Sequence, residues 1–255
     1  MTTYIKNQPP TEEIRQRLKD ENRTVLVAMS LGKDAIAANL ALKDAGIHTE
    51  LAYMYLVPGR KPGKCLDFIE DTITRLEDGF GQPIHRYPHP SLWRWLNNFI
   101  FQPPERCAII EAARMPELGY NETWELIKED LGLPSDTWVA DGVRAADSIP
   151  RRASLSRHGI MKAGNHKVSP VADWVIAELR DRLRDADLPL PWKDKHGVPL
   201  PIDYKWFGRS FDGLDYRFIE PLKRNAPRDY AQLLEWFPLA ELEIFRHEHI
   251  IERSN

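Results

Sequence analysis

Short, continuous apolar runs alternate along this chain with stretches in which apolar residues recur every three or four positions. Thr24–Ser30, TVLVAMS, is such a run, rich in β-branched residues, and predicts a strand buried on both faces. From Lys33 to Ala45 the period turns helical, and Gly46 supplies the residue on which helices commonly end. The alternation then repeats. Thr49–Val57 predicts a second strand closed by Pro58-Gly59, Cys65–Asp78 a helix stopped by Gly79, and Pro83–His89 a third strand. Ser91 is placed to cap a helix written SLWRWLNNF, and Pro103–Arg114 and Asn121–Leu131 predict two more. Asp136–Val143 predicts a fourth strand, followed by a Pro/Arg/Ser-rich loop, with a fifth strand at His166–Val171 and an amphipathic helix over Asp173–Ala186. Ahead of all these, Thr11–Asp20 predicts a short polar helix with Thr11 as its cap and Ile14 and Leu18 on one face.

Strands that alternate with helices build βαβ units, and right-handed crossovers place helices on both faces of the sheet. The expected architecture is therefore α/β, a doubly wound and mainly parallel sheet with a helical C-terminal extension. Beyond Leu188 the periodicity gives way to a Pro-, Gly- and aromatic-rich segment, and Ala226–Ile251 predicts two short helices. This divides the chain into an N-terminal helix (1–23), an α/β domain (24–192) and an extension packing on the core (193–255).

Composition narrows the chemistry. Hydrophobic residues make up 42% and charged residues 29% of the 255 positions, which excludes disorder as the main state. Lys+Arg 35 against Asp+Glu 38 leaves −3, so any anion site must be a local patch. Two cysteines, Cys65 and Cys107, exclude a disulfide scaffold and an all-cysteine zinc or iron–sulfur site within one chain. No run approaches 18 apolar residues and the N-terminus carries no apolar stretch, so the expected location is cytoplasmic with no membrane contact.

The sharpest local feature is Ser30-Leu31-Gly32-Lys33-Asp34, between the first strand and the first helix of the α/β pattern. Ligands of open parallel sheets bind beyond the carboxyl ends of the strands, and the free N–H groups of a helix start favour an anion. Gly32 lets backbone approach a ligand, the Ser30 hydroxyl can donate to a phosphate oxygen and Lys33 adds a full positive charge. Asp34 is placed to hold Mg²⁺ or to orient Lys33. The loop is neither a Walker A sequence nor a GxGxxG turn.

SLGKDA at 30–35 resembles the PP-loop of the ATP pyrophosphatases, commonly SGGKDS, in the adenine nucleotide α-hydrolase superfamily. Within that superfamily the chain resembles the phosphoadenosine phosphosulfate (PAPS) reductase-like family. DGVRAADSIPRRASL at 141–155 is similar to its G-x-R-x-x-[ED]-S…R-R stretch, VSPVADW at 168–174 to its P-[IV]-x-D-W segment, and LPLPW at 188–192 to its proline-rich turn. The likeness covers residues 24–192. It departs at Leu31, which replaces a glycine, and at Ala35, which replaces a serine. It departs again in having no cysteine after Cys107, where thiol-dependent PAPS reductases carry one, and two cysteines in all where iron–sulfur members use four. The resemblance implies an enzyme that binds ATP or PAPS with Mg²⁺ and acts at the α-phosphate, releasing pyrophosphate. Sulfur transfer or nucleic-acid modification would follow. It implies nucleotide contacts at Ser30, Leu31, Gly32, Lys33, Gly142, Arg144, Arg151, Arg152 and Tyr53, with Asp34 as the metal residue. Lys33, Asp34, Arg144 and Cys65 would be the catalytic group. The alternatives are binding or reduction of a sulfonucleotide, and a non-catalytic nucleotide-binding subunit. Relatives of this shape occur in phages and mobile elements beside DNA-modifying proteins, so a nucleic-acid or protein partner and a homodimer belong to the expectation.

From Arg144 to Lys167 the chain carries six Lys/Arg and one acidic residue, Asp147. Following a strand, this stretch should lie at the PP-loop edge of the sheet, where Arg144, Arg151 and Arg152 can form bidentate bonds to phosphate or sulfate. Arg157, Lys162 and Lys167 touch either a longer polyanion or water. Cys65 follows Arg60, Lys61 and Lys64, which would favour its thiolate. Cys65 and Cys107 are either a sulfur-handling pair, as in PP-loop enzymes that transfer sulfur, or small buried hydrophobes. Tyr53 or Tyr55 is placed to flank adenine. His89 either reaches the nucleotide or takes a capping or core role, and Trp93, Trp95, Phe99 and Phe101 read best as core.

Overall fold

β1 (Val25–Ala28) forms because Val25, Leu26 and Val27 are wholly buried, and it runs parallel to a neighbour on each side. In the computed structural model, which describes residues 2–186, Leu188 and 213–251 (the last without its side chain), β1 lies third in a six-stranded sheet. The other strands are β2 (Thr49–Tyr55), β3 (Ile84–Pro88), β4 (Val139–Ala140), β5 (Met161–Lys162) and β6 (Lys167–Val168). Their order is β3-β2-β1-β4-β6-β5. β1 pairs in parallel with β2 (Val25 opposite Thr49) and with β4 (Leu26 opposite Val139), and β4 in parallel with β6, while β5 is antiparallel to β6. Helices flank this sheet, which is the doubly wound, mainly parallel α/β class.

The helices are α1 (Thr11–Asp20), α2 (Lys33–Asp44), α3 (Asp67–Phe80), α4 (Pro90–Asn97), α5 (Pro104–Ala113), α6 (Tyr120–Asp130), α7 (Ile149–His158), α8 (Ile176–Asp185), α9 (Tyr216–Asn225), α10 (Pro227–Trp236) and α11 (Glu241–Arg246). The chain divides into two compact units interleaved in sequence. One comprises Met1–Tyr53, Thr72–His85 and Trp124–Gly208, the other Met54–Asp71, Arg86–Thr123 and Arg209–Asn255. Among the described residues, no helix is long and apolar enough to cross a membrane.

Several local expectations change. Thr11 is the first helical residue of α1, not its cap; its N–H donates to Asp173 Oδ2 at 2.9 Å and its hydroxyl to Asp173 Oδ1. A distant carboxylate thus does the capping. α3 passes through Gly79 and stops at Gly81, whose φ of +66° is the left-handed residue the ending needs. α4 is capped by His89, whose Nδ1 accepts from the Ser91 N–H at 3.0 Å, and not by Ser91. The arginine-rich stretch after β4 is helix α7, because Pro150 fits its first turn and the Ser148 hydroxyl accepts the Arg151 N–H. The fifth-strand region resolves into a β5–β6 hairpin around a 3₁₀ turn, Ala163–Asn165. The proline-rich turn read at 188–192 lies, past Leu188, outside the described residues.

Candidate functional site

The strand order reverses between β1 and β4. The chain proceeds from β1 outward to β2 and β3, then returns to place β4 on the other side of β1. At such a switch point the loops leaving two adjacent parallel strands diverge and leave a crevice. Here those loops are Ser30–Gly32, leading into α2, and Asp141–Ser148, leading into α7.

The first loop is shaped by Leu31. It is wholly buried and holds a left-handed φ of +62°, where the resembled motif has glycine. That backbone costs a side-chain-bearing residue about 1–2 kcal/mol, whereas burying a leucine returns about 1.5–3 kcal/mol. The apolar anchor therefore outweighs the strain. With Leu31 turned inward, Ser30 is exposed and Gly32, Lys33 and Asp34 are half-buried. Gly32 stands at the N-cap of α2 in extended conformation, and no side chain caps the helix. A Cβ on Gly32 would meet only Ser30 Oγ, at 3.5 Å. The protein itself thus does not require a glycine there.

Gly142, in the second loop, differs. A Cβ there would lie 2.5 Å from the Asp34 carbonyl carbon and 2.7 Å from Ala35 N and Asp34 O. The second loop consequently meets the first turn of α2 backbone to backbone, and only glycine permits it. Asp141 holds the second loop in place, accepting from the Val143 N–H at 3.0 Å and the Ser169 hydroxyl at 2.7 Å.

A chain of charges links the loops. Lys33 Nζ lies 2.7 Å from Asp34 Oδ2, and Arg144 Nε donates to Asp34 Oδ1 at 2.9 Å. Arg144 NH2 donates to Asp147 Oδ1 at 2.6 Å, NH1 reaches the Trp174 carbonyl at 3.5 Å, and Arg151 pairs with Asp147 Oδ2 at 2.7 Å. Arg144 is only 3% exposed, so it serves these carboxylates and positions Asp34; it does not offer its fork to a ligand. Lys33 is the cation held by a single half-exposed carboxylate. Arg152 is exposed, with its Nε donating to the Ala145 carbonyl at 3.4 Å. Asp147, which organises both Arg144 and Arg151, is not among the site residues expected from sequence. As the acidic residue in an otherwise basic stretch, it is the signal the sequence offers.

Other expected site residues lie elsewhere. Tyr53 is 1% exposed on β2 and belongs to the core. Cys65 is also 1% exposed, and the expectation that Arg60, Lys61 and Lys64 favour its thiolate is overturned. Burial, then the neighbouring Glu70 carboxylate, push its thiol well above the usual range, and Arg86 and Lys64 oppose this only in part. Both cysteines are free thiols, with Cys107 half-buried. His89 caps α4, and its Nε2 lies 3.0 Å from the Tyr120 hydroxyl.

Mg²⁺ is commonly bound by one or two carboxylates together with substrate phosphates. Both Asp34 oxygens already face cations, so this donor set does not fit a divalent ion as it stands. Among the described residues, no three His, Cys, Asp or Glu side chains gather to form a metal site.

No family model and no curated protein matches the chain. Among solved structures, a predicted subunit of tRNA methyltransferase from Methanocaldococcus jannaschii is similar over 82% of this chain and 91% of its own. The identity is 18% and the TM-score 0.39, and no residue or role is carried over from it.

Proposed function

We propose that the β1/β4 crevice binds the phosphate chain of an adenosine nucleotide, ATP in the first instance, and that the chain acts at its α-phosphate with departure of pyrophosphate. The observation that carries this reading is the Ser30–Asp34 turn at the strand-order reversal. There an uncapped helix start, a glycine whose Cβ would meet only Ser30 Oγ and a half-exposed lysine converge. The PP-loop resemblance supplies the adenosine and the choice of phosphorus.

The chemistry follows from charge. An acceptor oxygen attacks the α-phosphorus, the bond to the bridging oxygen breaks, and negative charge grows on pyrophosphate. The α2 N–H groups and Lys33 stabilise that charge, which is where phosphoryl-type reactions draw most of their acceleration. Lys33 exchanges its Asp34 contact for a phosphate oxygen, and Arg144 keeps Asp34 fixed while it does so. No step is assigned to a metal, to Tyr53 or to Cys65.

Incubation with ATP, with and without Mg²⁺, followed by quantitation of AMP and pyrophosphate, tests the reading. Lys33→Ala should lower nucleotide affinity by about 2–5 kcal/mol, the usual cost of deleting one partner of a charge-assisted pair. Wild type and variant matching in both binding and turnover would refute it. Binding of 3′,5′-ADP in preference to ATP, with no pyrophosphate formed, would move the assignment to a sulfonucleotide.

A further inference from the structure

A cavity of about 330 Å³ opens between α4 and the irregular linker that joins α5 to α6, and none of its lining residues belongs to the nucleotide crevice. One wall is a single face of α4 and its C-cap, with Pro90, Arg94, Asn97 and Asn98 at helical spacing. The other wall is Pro116, Glu117 and Leu118 of the linker. Both walls belong to the same compact unit, the second of the two. Hydrogen bonds tie them together at each end. Just ahead of Pro116, the Met115 carbonyl accepts from Asn97 Nδ2 at 3.3 Å. Just past the lining residues, the Tyr120 hydroxyl lies 3.0 Å from Nε2 of His89, the neighbour of Pro90. Because His89 Nδ1 accepts the Ser91 N–H, the neutral ring carries its proton on Nε2 and donates it to Tyr120. Burial, then Arg94, push His89 down to about 4, so this tie holds at neutral pH. Pro90 and Pro116 stiffen the two walls. The cavity is therefore framed by the protein itself, and a ligand entering it requires little further ordering.

The lining is chemically two-sided. Arg94 and Glu117 carry opposite charges into one cavity, yet neither makes an ion pair with the other or with any described residue. Arg94 is steadied by donating from NH2 to Ser91 Oγ at 2.8 Å, which leaves Nε and NH1 for a ligand. Asn97 and Asn98 use their Nδ2 groups on the Met115 and Arg94 carbonyls, so their amide oxygens remain to accept. A guanidinium selects a carboxylate, carboxylate and amide oxygens select an ammonium, and the prolines and Leu118 suit a hydrocarbon. A ligand of one charge alone would be repelled by Arg94 or by Glu117. We propose that this cavity binds a small zwitterion, an α-amino acid with an apolar side chain. Its carboxylate meets Arg94, its ammonium meets Glu117, and its side chain rests against Pro90, Pro116 and Leu118. The volume, near the lower end for small-molecule sites, suits one such molecule. The proposal is independent of the nucleotide reading, since the two sites share no residue.

Ligand-observed NMR and calorimetry on the full chain, with L-leucine as the probe, test it. L-leucine should bind with a dissociation constant of about 0.1–1 mM. N-acetyl-leucine lacks the ammonium and leucinamide the carboxylate, and each should bind about tenfold more weakly. Glycine, without the hydrocarbon, should also bind about tenfold more weakly. Arg94→Gln and Glu117→Gln alter exposed side chains, so melting temperatures should stay within about 2 °C of wild type. Leucine affinity should fall about tenfold in each. The two variants should also differ in kind. Glu117→Gln should cease to discriminate against N-acetyl-leucine, and Arg94→Gln should cease to discriminate against leucinamide. Absence of leucine binding up to about 10 mM overturns the proposal, and so does leucine binding that both variants leave untouched. Equal wild-type affinity for leucine and N-acetyl-leucine overturns it in favour of a simple anion site. Lys33→Ala should bind leucine as the wild type does. Loss of leucine binding in that variant would put the amino acid in the nucleotide crevice and overturn the proposal, whereas loss of ATP binding alone bears only on the nucleotide reading.

Discussion

Two loops that carry glycine and lysine leave parallel strands of this sheet, and the fold treats them in opposite ways. The loop after β1 turns its one large apolar residue inward, leaves the start of α2 without a side-chain cap, and holds Lys33 by a single half-exposed carboxylate. The loop after β2 is closed on itself. Gly59 N–H donates to the Lys64 carbonyl at 2.7 Å, Pro58 and Cys65 form a bridge, and the Cys65 N–H donates to Glu70 Oε1 at 2.8 Å. Glu70 also pairs with Lys64 and Arg86, at 3.3 and 3.1 Å. The start of α3 is filled by an internal anion, since Asp229 accepts from the N–H groups of Asp67 at 2.6 Å and Phe68 at 3.2 Å. The same ingredients therefore yield an open turn before an uncapped helix in one place and a neutralised, packed turn in the other. What separates them is where the carboxylates stand, and the count of lysines does not.

The largest expected effect comes from breaking the open loop at its backbone contact. Gly142→Ala forces a Cβ to within 2.5–2.7 Å of the Asp34 and Ala35 backbone, which no rotamer change relieves. Overpacking of this kind costs about 3 kcal/mol, or a fall in melting temperature of roughly 6–12 °C for a chain this long. Nucleotide affinity should go with it. Gly32→Ala is the paired control. Its Cβ meets only Ser30 Oγ at 3.5 Å, so the melting temperature should barely move while nucleotide affinity drops about tenfold. Equal losses in the two variants, read by thermal melts and equilibrium binding, would show that the missing side chain at Gly32 has no bearing on the ligand.

These two glycines also mark how far sequence reasoning reaches. The alternation of apolar runs and helical periods locates β1, α2, β2 and β3 within a few residues, because buried strands and amphipathic helices leave a one-dimensional trace. The turn at 30–34 is legible for the same reason, lying where a strand pattern meets a helical one. Distant partners are not. Asp173 capping α1 across 162 positions, Asp229 filling the start of α3 and Asp34 engaging Arg144 across 110 positions are tertiary facts with no local pattern. The misread cysteine follows directly. Three nearby basic residues suggest a thiolate, whereas burial first, and then Glu70 five residues on, raise the thiol.

A smaller effect sharpens the contrast from the closed side. Glu70→Gln leaves Lys64 and Arg86 without their carboxylate and should cost about 1.5–3 kcal/mol, the usual worth of hydrogen bonds to a charged group. A pH signature accompanies it. Burial alone would raise the Glu70 carboxyl, but the Cys65 N–H, Arg86 and Lys64 outweigh burial and hold it below its ordinary 4.5. A carboxyl depressed on folding adds stability that is fully present above pH 4.5 and is lost as pH falls through the lower folded value. Denaturant midpoints measured below pH 4.5 should therefore fall less steeply for Glu70→Gln than for wild type. Parallel profiles would place the stabilising charge elsewhere.

The smallest expected effect is the one that most directly opposes the two loops. If the β2 loop is a packed turn, Cys65→Ser removes a buried, protonated thiol and leaves nucleotide binding and pyrophosphate release unchanged, with a modest loss of stability from burying a hydroxyl in place of the thiol. Thiol labelling at pH 8 separates the two cysteines in the native protein. Half-buried Cys107 should react first, and Cys65 should react only as the chain unfolds, because a reagent needs both access and thiolate. In Glu70→Gln the second cause of the raised thiol is gone but burial, the larger, remains, so native-state labelling of Cys65 should stay well slower than that of Cys107. Rapid labelling of Cys65 in the wild-type protein, together with loss of turnover in Cys65→Ser, would make the β2 loop chemically active and dissolve the contrast between an open cradle and a closed turn.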